Sequence, residues 1–256
     1  MTRRARQAAR RGRDELRLQV ARLRRRTVTP PVGRVRFGDL RRTTPIAREF
    51  GYQRGGPVDR YYIEGFLAEH RRDIAGRVLE IGDDAYTRRF GGTGVTHSDV
   101  LHVDPSAPGV TILGTLEDDA VLPDGVFDCI ILTQTLHLIY DFEAALRNIR
   151  RSLVPGGVLL MTVPFISQMD DGQWGSSWQY SFTDLAVRRM GDECFAGCAI
   201  TVRSHGNVLT AVAFLHGLGV GELTRAELDE HHVEHSLVHT VRVETPLDQR
   251  DEQEAS

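Results

Sequence analysis

A short apolar run ending on an acid and a glycine, Arg77-Val78-Leu79-Glu80-Ile81-Gly82-Asp83-Asp84, carries the residues of this chain best suited to meet a nucleoside. Such a run, stopped by glycine, reads as a buried strand of a parallel sheet. The loop behind it then opens beside the carboxyl ends of the strands, where open α/β sheets bind ligands. Gly82 has no Cβ, so a ligand can approach its backbone. Asp104 follows 22 residues later, at the end of a second apolar run, Asp99-Val100-Leu101-His102-Val103. An acid at about that spacing is placed to accept hydrogen bonds from a ribose diol. A plain strand and turn with a surface Asp fits these two features equally well, because a single glycine turn is a weak motif.

Composition bounds what can surround them. A chain of 256 residues suits one large α/β domain with extensions. Apolar content of 41% and charged content of 26% are ordinary for a soluble globular protein. No apolar run approaches the ~20 residues of a membrane span, and the basic N-terminus is not followed by the apolar stretch of a signal peptide. Cys129, Cys194 and Cys198 are odd in number and lack CxxC spacing, which argues for a reducing cytoplasm. All 32 basic residues are arginine. The absence of lysine excludes a Schiff-base lysine, a P-loop lysine and the lysine of short-chain reductases.

The order of elements follows from pattern. Residues 1–57 read as a basic, Pro/Gly-rich extension; its first 26 residues hold 11 Arg against Asp14 and Glu15. Such an arm suits weak contact with an anionic surface or an acidic partner. A solvated tail is the plainer reading, and the lack of aromatic interleaving disfavours nucleic acid. Val58 to His70 predicts a helix with Tyr62, Ile63, Phe66 and Leu67 on one face. Arg60, Tyr61 and Tyr62 either reach a ligand from it or pack on the sheet. Tyr86 to Gly92 predicts a helix start cut short by glycines. Strands are expected at Ser98–Val103, Val110–Leu113 and Phe127–Leu132. Asp141 fits an N-cap for a helix through Leu153, with Pro155-Gly156-Gly157 turning the chain into a strand at Val158–Val163. Strands alternating with helices imply a parallel sheet with right-handed crossovers. Residues 165–181 break the pattern with Trp174, Trp178 and Tyr180 among polar residues, as a substrate lid or as a loop pinned by tryptophans. Ser181 or Thr183 caps a helix through Met190. Ala199–Arg203 reads as a strand, Val208–Leu218 as a buried helix and Leu237–Val243 as a last strand. Residues 244–256 form an acidic tail.

Four motifs in this order, VLEIGDD (Val78 to Asp84), LHVDPS (Leu101 to Ser106), LPDGVFDCIILTQTLHLIYD (Leu122 to Asp141) and RSLVPGGVLLMTVP (Arg151 to Pro164), resemble a class I S-adenosylmethionine-dependent methyltransferase of the type 11-like group. The likeness covers roughly residues 60–243. It is similar to bacterial methyltransferase-like proteins linked to sugar and polysaccharide genes, through Gly55 to Glu64 and Tyr86 to Gly92. The resemblance implies a Rossmann-like α/β fold over residues 58–243: a seven-stranded, mostly parallel sheet with an antiparallel last strand and helices on both faces. It implies S-adenosylmethionine as cofactor. Glu80 and Gly82 would line the methionine moiety, Asp104 would hold the ribose, Thr115 and Leu116 would border adenine, and Thr133 and Gln134 would sit beside the sulfonium. The family loop reads E-x-G-x-G; here Asp84 replaces the second glycine, where it would either grip the methionine amino group or weaken binding.

Methyl transfer is an in-line displacement on an activated sulfonium, so the protein chiefly aligns the acceptor and excludes water. A hydroxyl acceptor also needs a general base. His137 follows the fourth strand and titrates near neutral pH, which makes it the candidate; a structural histidine on a helix turn is the competing reading. Tyr180 and His205 are weaker candidates, and Trp174, Trp178 and Tyr180 are the expected acceptor contacts. His231, His232, His235 and His239 do not follow a zinc pattern, so no metal is expected. Cys194 and Cys198 read as core residues. The expected activity is O-methylation of a sugar or small metabolite; the alternative is a binding or regulatory partner in glycan assembly that uses the same fold. A nicotinamide-dependent reductase ranks last, because G-x-G-x-x-G is absent.

Overall fold

The computed structural model describes residues 29–170, 172 and 174–247. The arginine arm before residue 29 and the acidic tail beyond residue 247 lie outside them. The chain divides into two compact units, Met1–Thr43 and Thr44–Ser256. The lead-in at 44–57, expected as part of the extension, therefore belongs to the second unit. Its amides explain why: Ile46 N and Ala47 N both donate to His216 O.

The second unit holds α1 (Val58–Glu69), β1 (Gly76–Ile81), β2 (Val95–His102), β3 (Ile112–Leu113), β4 (Phe127–Thr133), α2 (Phe142–Ser152), β5 (Leu153–Pro164), α3 (Asp184–Cys194), β6 (Ala199–His205), α4 (Val208–Leu215), α5 (Arg225–Leu228) and β7 (Val238–Glu244). Seven strands form one sheet in the order β3-β2-β1-β4-β5-β7-β6. The pairs β1–β2, β2–β3, β1–β4 and β4–β5 are parallel, and β7 runs against both β5 and β6. The order reverses direction between β1 and β4, which opens a crevice at their carboxyl ends.

Burial explains the strands. Cys129, Ile130, Ile131 and Leu132 are all buried, the continuous run of a strand covered on both faces. One core layer packs α2 and α3 on the sheet through Ala145, Leu146, Ile149, Val187 and Met190. The other packs α1, α4 and α5 through Val58, Ile63, Leu67, Phe214 and Leu228. Helices thus cover both faces, as the motifs implied.

The caps follow the sequence closely. The Asp141 carboxylate accepts from Ala144 N at the start of α2, and Thr183 Oγ1 accepts from Ala186 N at the start of α3. Several boundaries differ: β2 already begins at Val95, and α3 and β6 run on to Cys194 and His205. Pro155-Gly156-Gly157 does not follow a helix end at a distance; it lies inside β5, in the register break between the pairs Phe127↔Leu153 and Cys129↔Val158. Val110 and Thr111 contribute no strand residue, so β3 has two. Helix α4 stops at Leu215 because Gly217 takes φ +66, where any Cβ would lie 2.0 Å from Ala47 O.

Candidate active site

The acid of the first strand is fully engaged by its own loop. Glu80 is 3% exposed and accepts from Tyr86 N (3.1 Å), Thr87 N (2.7 Å) and Thr87 Oγ1 (2.7 Å). It therefore fixes the start of the short π-turn Thr87–Gly91, which the glycines end. Burial pushes its carboxyl up to about 7, against the pull of the Thr87 and Tyr86 donors.

Gly82 sits where a ligand needs backbone. Its φ is +97, and a Cβ placed there would meet nothing within 4 Å. Gly82 N donates to Leu101 O, which ties this loop to the end of β2. Asp83 is spent on its own turn, accepting from Ala85 N. Asp84, standing in place of the second glycine, pairs with Arg88 Nε at 2.7 Å.

Asp104 lies beyond β2 and is exposed. Its Oδ1 accepts from Ser106 N (2.8 Å) and Ser106 Oγ (2.7 Å), which holds the carboxyl below the usual range. Its Oδ2 has no partner among the described residues. Thr115 is exposed, whereas the Leu116 side chain is a core residue at 2%. Only the backbone of Leu116 can therefore border a ligand, and its carbonyl already accepts from Asn148 Nδ2. At the end of β4, Thr133 is half-buried. Gln134 takes φ +48, and its amide donates to Thr162 O (3.0 Å) and Thr162 Oγ1 (3.2 Å). A non-glycine residue in that region is held against its preference by its surroundings.

Helix α1 supplies a pair, Asp59 and Arg60, of which the sequence pattern offered only Arg60 as a ligand contact. Asp59 is buried, with Oδ1 unpartnered among the described residues and Oδ2 3.4 Å from Arg60 Nη1. Burial raises the Asp59 carboxyl. Arg60 Nη2 donates to Tyr52 Oη at 3.3 Å. Arg60 and Asp59 act electrostatically on Tyr86, whose amide is bound to Glu80. Tyr61 and Tyr62 turn elsewhere: their hydroxyls donate to Asp229 Oδ1 (2.6 Å) and Leu228 O (3.0 Å). Of the three α1 residues considered, Arg60 alone keeps company with the β1 loop.

His137 lies on the 3-10 turn Leu136–Leu138 after β4 and is 2% exposed. Burial pushes its pKa down to about 4, and its Nδ1 has no partner among the described residues. Trp178 covers it, with ring centroids 4.3 Å apart, and the Trp178 indole in turn lies parallel to Phe50. Phe50 has φ +52 and packs on Phe214 of α4. The His137 carbonyl accepts from Gln179 N and Tyr180 N, so the aromatic insert is clipped to the turn it covers. Tyr180 is a packing residue here: its hydroxyl donates to Tyr140 O, and its ring meets Phe142 and Phe182. Trp174 is exposed. His205 stands apart from this group, bonded to Thr240 Oγ1 and stacked on Tyr62. No group of three or more His, Cys, Asp or Glu among the described residues could hold a metal ion.

Comparison with known proteins agrees with this arrangement. A family model described as a methyltransferase domain matches residues 51–193, more than half of the chain. The fold is similar to that of the N-methyltransferase NodS from Bradyrhizobium japonicum with S-adenosylhomocysteine (14% identity, TM-score 0.51, 79% of this chain and 95% of that one). It is similar to an S-adenosylmethionine-dependent methyltransferase from Mesorhizobium loti (16%, 0.50, 74% and 98%) and to the [4+2]-cyclase SpnF (15%, 0.50, 73% and 81%). Among curated proteins, 69 residues are 35% identical to "Probable polyketide synthase 10" of Dictyostelium discoideum. That stretch is 27% of this chain and spans 3% of the length of that relative.

Proposed function

The chain belongs to the methyltransferase-domain family, and on that footing we propose that it transfers the methyl group of S-adenosylmethionine to a hydroxyl of a sugar or small metabolite. One observation carries the cofactor half of this reading. An open Gly82 backbone and the unpartnered Oδ2 of Asp104 lie at the ends of adjacent strands joined by the Gly82 N to Leu101 O bond. That is a fit for a ribose diol beside a loop that tolerates close approach.

When bound, the cofactor supplies a sulfonium whose methyl needs only an aligned nucleophile. Asp104 would accept from the ribose hydroxyls, and Thr115 with the Leu116 backbone would flank the base. Gly82 and Arg60 would meet the methionine end, where a guanidinium suits a carboxylate. Glu80 would act through the loop it holds, since its oxygens are already engaged. Thr133 and Gln134 would border the reacting centre from the end of β4. His137 is the proposed base: it is neutral at pH 7 and its Nδ1 is unpartnered. A base of pKa about 4 is weak for this task, so acceptor binding would have to rearrange Trp178 and rehydrate the imidazole. Trp174, Trp178 and Tyr180 form the acceptor side in this reading. The three free cysteines support a reducing cytoplasm as the setting.

The test is transfer of radiolabelled methyl from S-adenosylmethionine to a panel of sugars, glycosides and small hydroxylated metabolites. Label in an acceptor, lost in Asp104→Ala and His137→Ala, supports the reading. Label on an amine or thiol alone would reassign the acceptor class.

A second reading has its own observation. Asp84 is paired with Arg88, and Glu80 with Thr87, so both acids serve internal contacts. This favours a methyltransferase-fold protein that acts without methyl transfer, as a binding or regulatory partner in glycan assembly. Cofactor binding with no acceptor labelled across the panel is its expected signature.

A further inference from the structure

The carboxylates about the β1 loop are engaged, with one exception among the described residues. Glu80 accepts from Tyr86 N, Thr87 N and Thr87 Oγ1. Asp83 accepts from Ala85 N, and Asp84 pairs with Arg88 at 2.7 Å. Glu64 of α1 holds Arg89 of the π-turn with both oxygens, Oε1 on Nη1 and Oε2 on Nη2, each at 2.7 Å. The exception is Asp59. It is 8% exposed, its Oδ1 has no partner among the described residues, and its Oδ2 is 3.4 Å from Arg60 Nη1. A buried carboxylate oxygen without a donor is costly, and a loose contact with one guanidinium nitrogen offsets little of that cost. Asp59 lacks a donor that these neighbours do not supply.

Helix α1 fixes where that oxygen sits. Val58, Tyr62, Ile63, Phe66 and Leu67 anchor the helix in the core, and Glu64 ties it to the π-turn through Arg89. Asp59 and Arg60 act electrostatically on Tyr86, whose amide is bound by Glu80 at the end of β1. The pair therefore stands beside the loop whose Gly82 backbone is open. Arg60 is as loosely held as Asp59: apart from that contact it donates to Tyr52 Oη at 3.3 Å. A carboxylate oxygen that needs a donor and guanidinium N–H groups that need a better acceptor lie on consecutive residues. That is the complement of an α-amino acid end, which carries an ammonium and a carboxylate on one carbon. A simple anion would satisfy Arg60 and leave Asp59 buried without a donor.

We propose that Asp59 Oδ1 accepts a hydrogen bond from the α-ammonium of the cofactor's methionine end, beside the carboxylate held by Arg60. This rests on the cofactor reading above and names the residue that selects for the amino group. It moves that contact from the acids of the β1 segment, which are already engaged, to the first turn of α1. A consequence follows for protons. Burial raises the Asp59 carboxyl, Glu64 adds to the rise, and Arg60 with the amides of Asp59 and Arg60 opposes it. An ammonium placed against Oδ1 lowers the carboxyl again, so any proton Asp59 still holds leaves when the ligand binds.

The experiment is calorimetric titration of the full chain with three ligands: S-adenosylhomocysteine, its desamino analogue, which keeps the carboxylate, and methylthioadenosine, which has neither group. The wild type should prefer S-adenosylhomocysteine to the desamino analogue by about tenfold or more, the size of one charge-assisted hydrogen bond. Asp59→Asn, which keeps the shape, should remove most of that preference and leave the other two affinities within about twofold. Titration in two buffers of different ionisation enthalpy should show more proton release with S-adenosylhomocysteine than with the desamino analogue, and Asp59→Asn should abolish the difference. Circular dichroism checks the fold of the variant, and the wild-type comparisons stand without it. Equal wild-type affinity for S-adenosylhomocysteine and its desamino analogue would overturn the proposal and leave the cofactor reading intact. So would a loss in Asp59→Asn shared alike by all three ligands, which marks a structural residue. No binding of any of the three would overturn both.

Discussion

The Trp178 indole lies 4.3 Å from the His137 imidazole, centroid to centroid and inclined by 56°. This contact joins the aromatic insert to the turn after β4 and lays Trp178 against His137, whose burial keeps it neutral. Trp178→Ala should let water reach the ring and move the His137 pKa from about 4 toward the ordinary 6.5. NMR titration of the imidazole protons reads this directly. An unmoved pKa would mean that residues other than Trp178 exclude the water.

Acid should destabilise the fold through two histidines. His137 and His205 are each pushed down to about 4 by burial, from 6.5. The unfolded chain binds these protons first, so their contribution is complete above pH 6.5 and is lost as pH falls through about 4. The ceiling is about 3 kcal/mol for each. Glu80 works the other way: raised from 4.5 to about 7, it favours the folded state at low pH and that contribution fades as pH rises through 7. Thermal melts of the wild type and of His205→Asn between pH 4 and 7 separate the effects. The variant should show a shallower loss on the acid side; an identical slope would contradict the assignment.

Replacing Glu80 tests the loop. Glu80→Ala leaves Thr87 N and Tyr86 N without their acceptor and should destabilise by about 3 kcal/mol, whereas Glu80→Gln keeps one acceptor oxygen and should lose about half of that. Urea unfolding measures both. Equal effects would show that charge, rather than acceptance of these bonds, is what the loop requires.

Asp84 should matter little to cofactor affinity. Its carboxylate is directed at Arg88, an exposed partner, and such pairs contribute about 0–1 kcal/mol. Asp84→Gly, which restores the family's second glycine, should leave S-adenosylhomocysteine affinity within about threefold by calorimetry. A gain well beyond that would make Asp84 an obstacle to binding and favour the reading without methyl transfer.

Much of this was legible in the residue pattern because it depends on neighbours in sequence. The buried runs of β1 and β4, the Asp141 and Thr183 caps and the Gly82 turn are local signals, and each fell within a few residues of its place. The parts that were not legible depend on distant partners. Pro155-Gly156-Gly157 reads as a turn, yet pairing with Phe127 and Cys129 draws it into β5 as a register break. Tyr61 and Tyr62 face the right way on a helical wheel, but Asp229 and Leu228 claim their hydroxyls from 166 or more residues away. His137 looked like a group titrating near neutral pH until Trp178 was folded onto it. Leu116 reads as a cofactor neighbour, and its side chain, buried in the core, leaves only the backbone for that role. Asp59 gave no signal beyond an acid at a helix start.

The central claim is a cofactor site built on Gly82 and Asp104. Calorimetric titration of the purified chain with S-adenosylmethionine and S-adenosylhomocysteine tests it most directly. The account predicts one-to-one binding of both, weakened by roughly tenfold or more in Asp104→Ala, since a carboxylate hydrogen bond to a ligand is worth about 1.5–3 kcal/mol. The fold should survive that change, because Asp104 is exposed and its carboxylate bonds only Ser106 among the described residues. Absence of binding by the folded wild type, or affinity unchanged in Asp104→Ala, would contradict it.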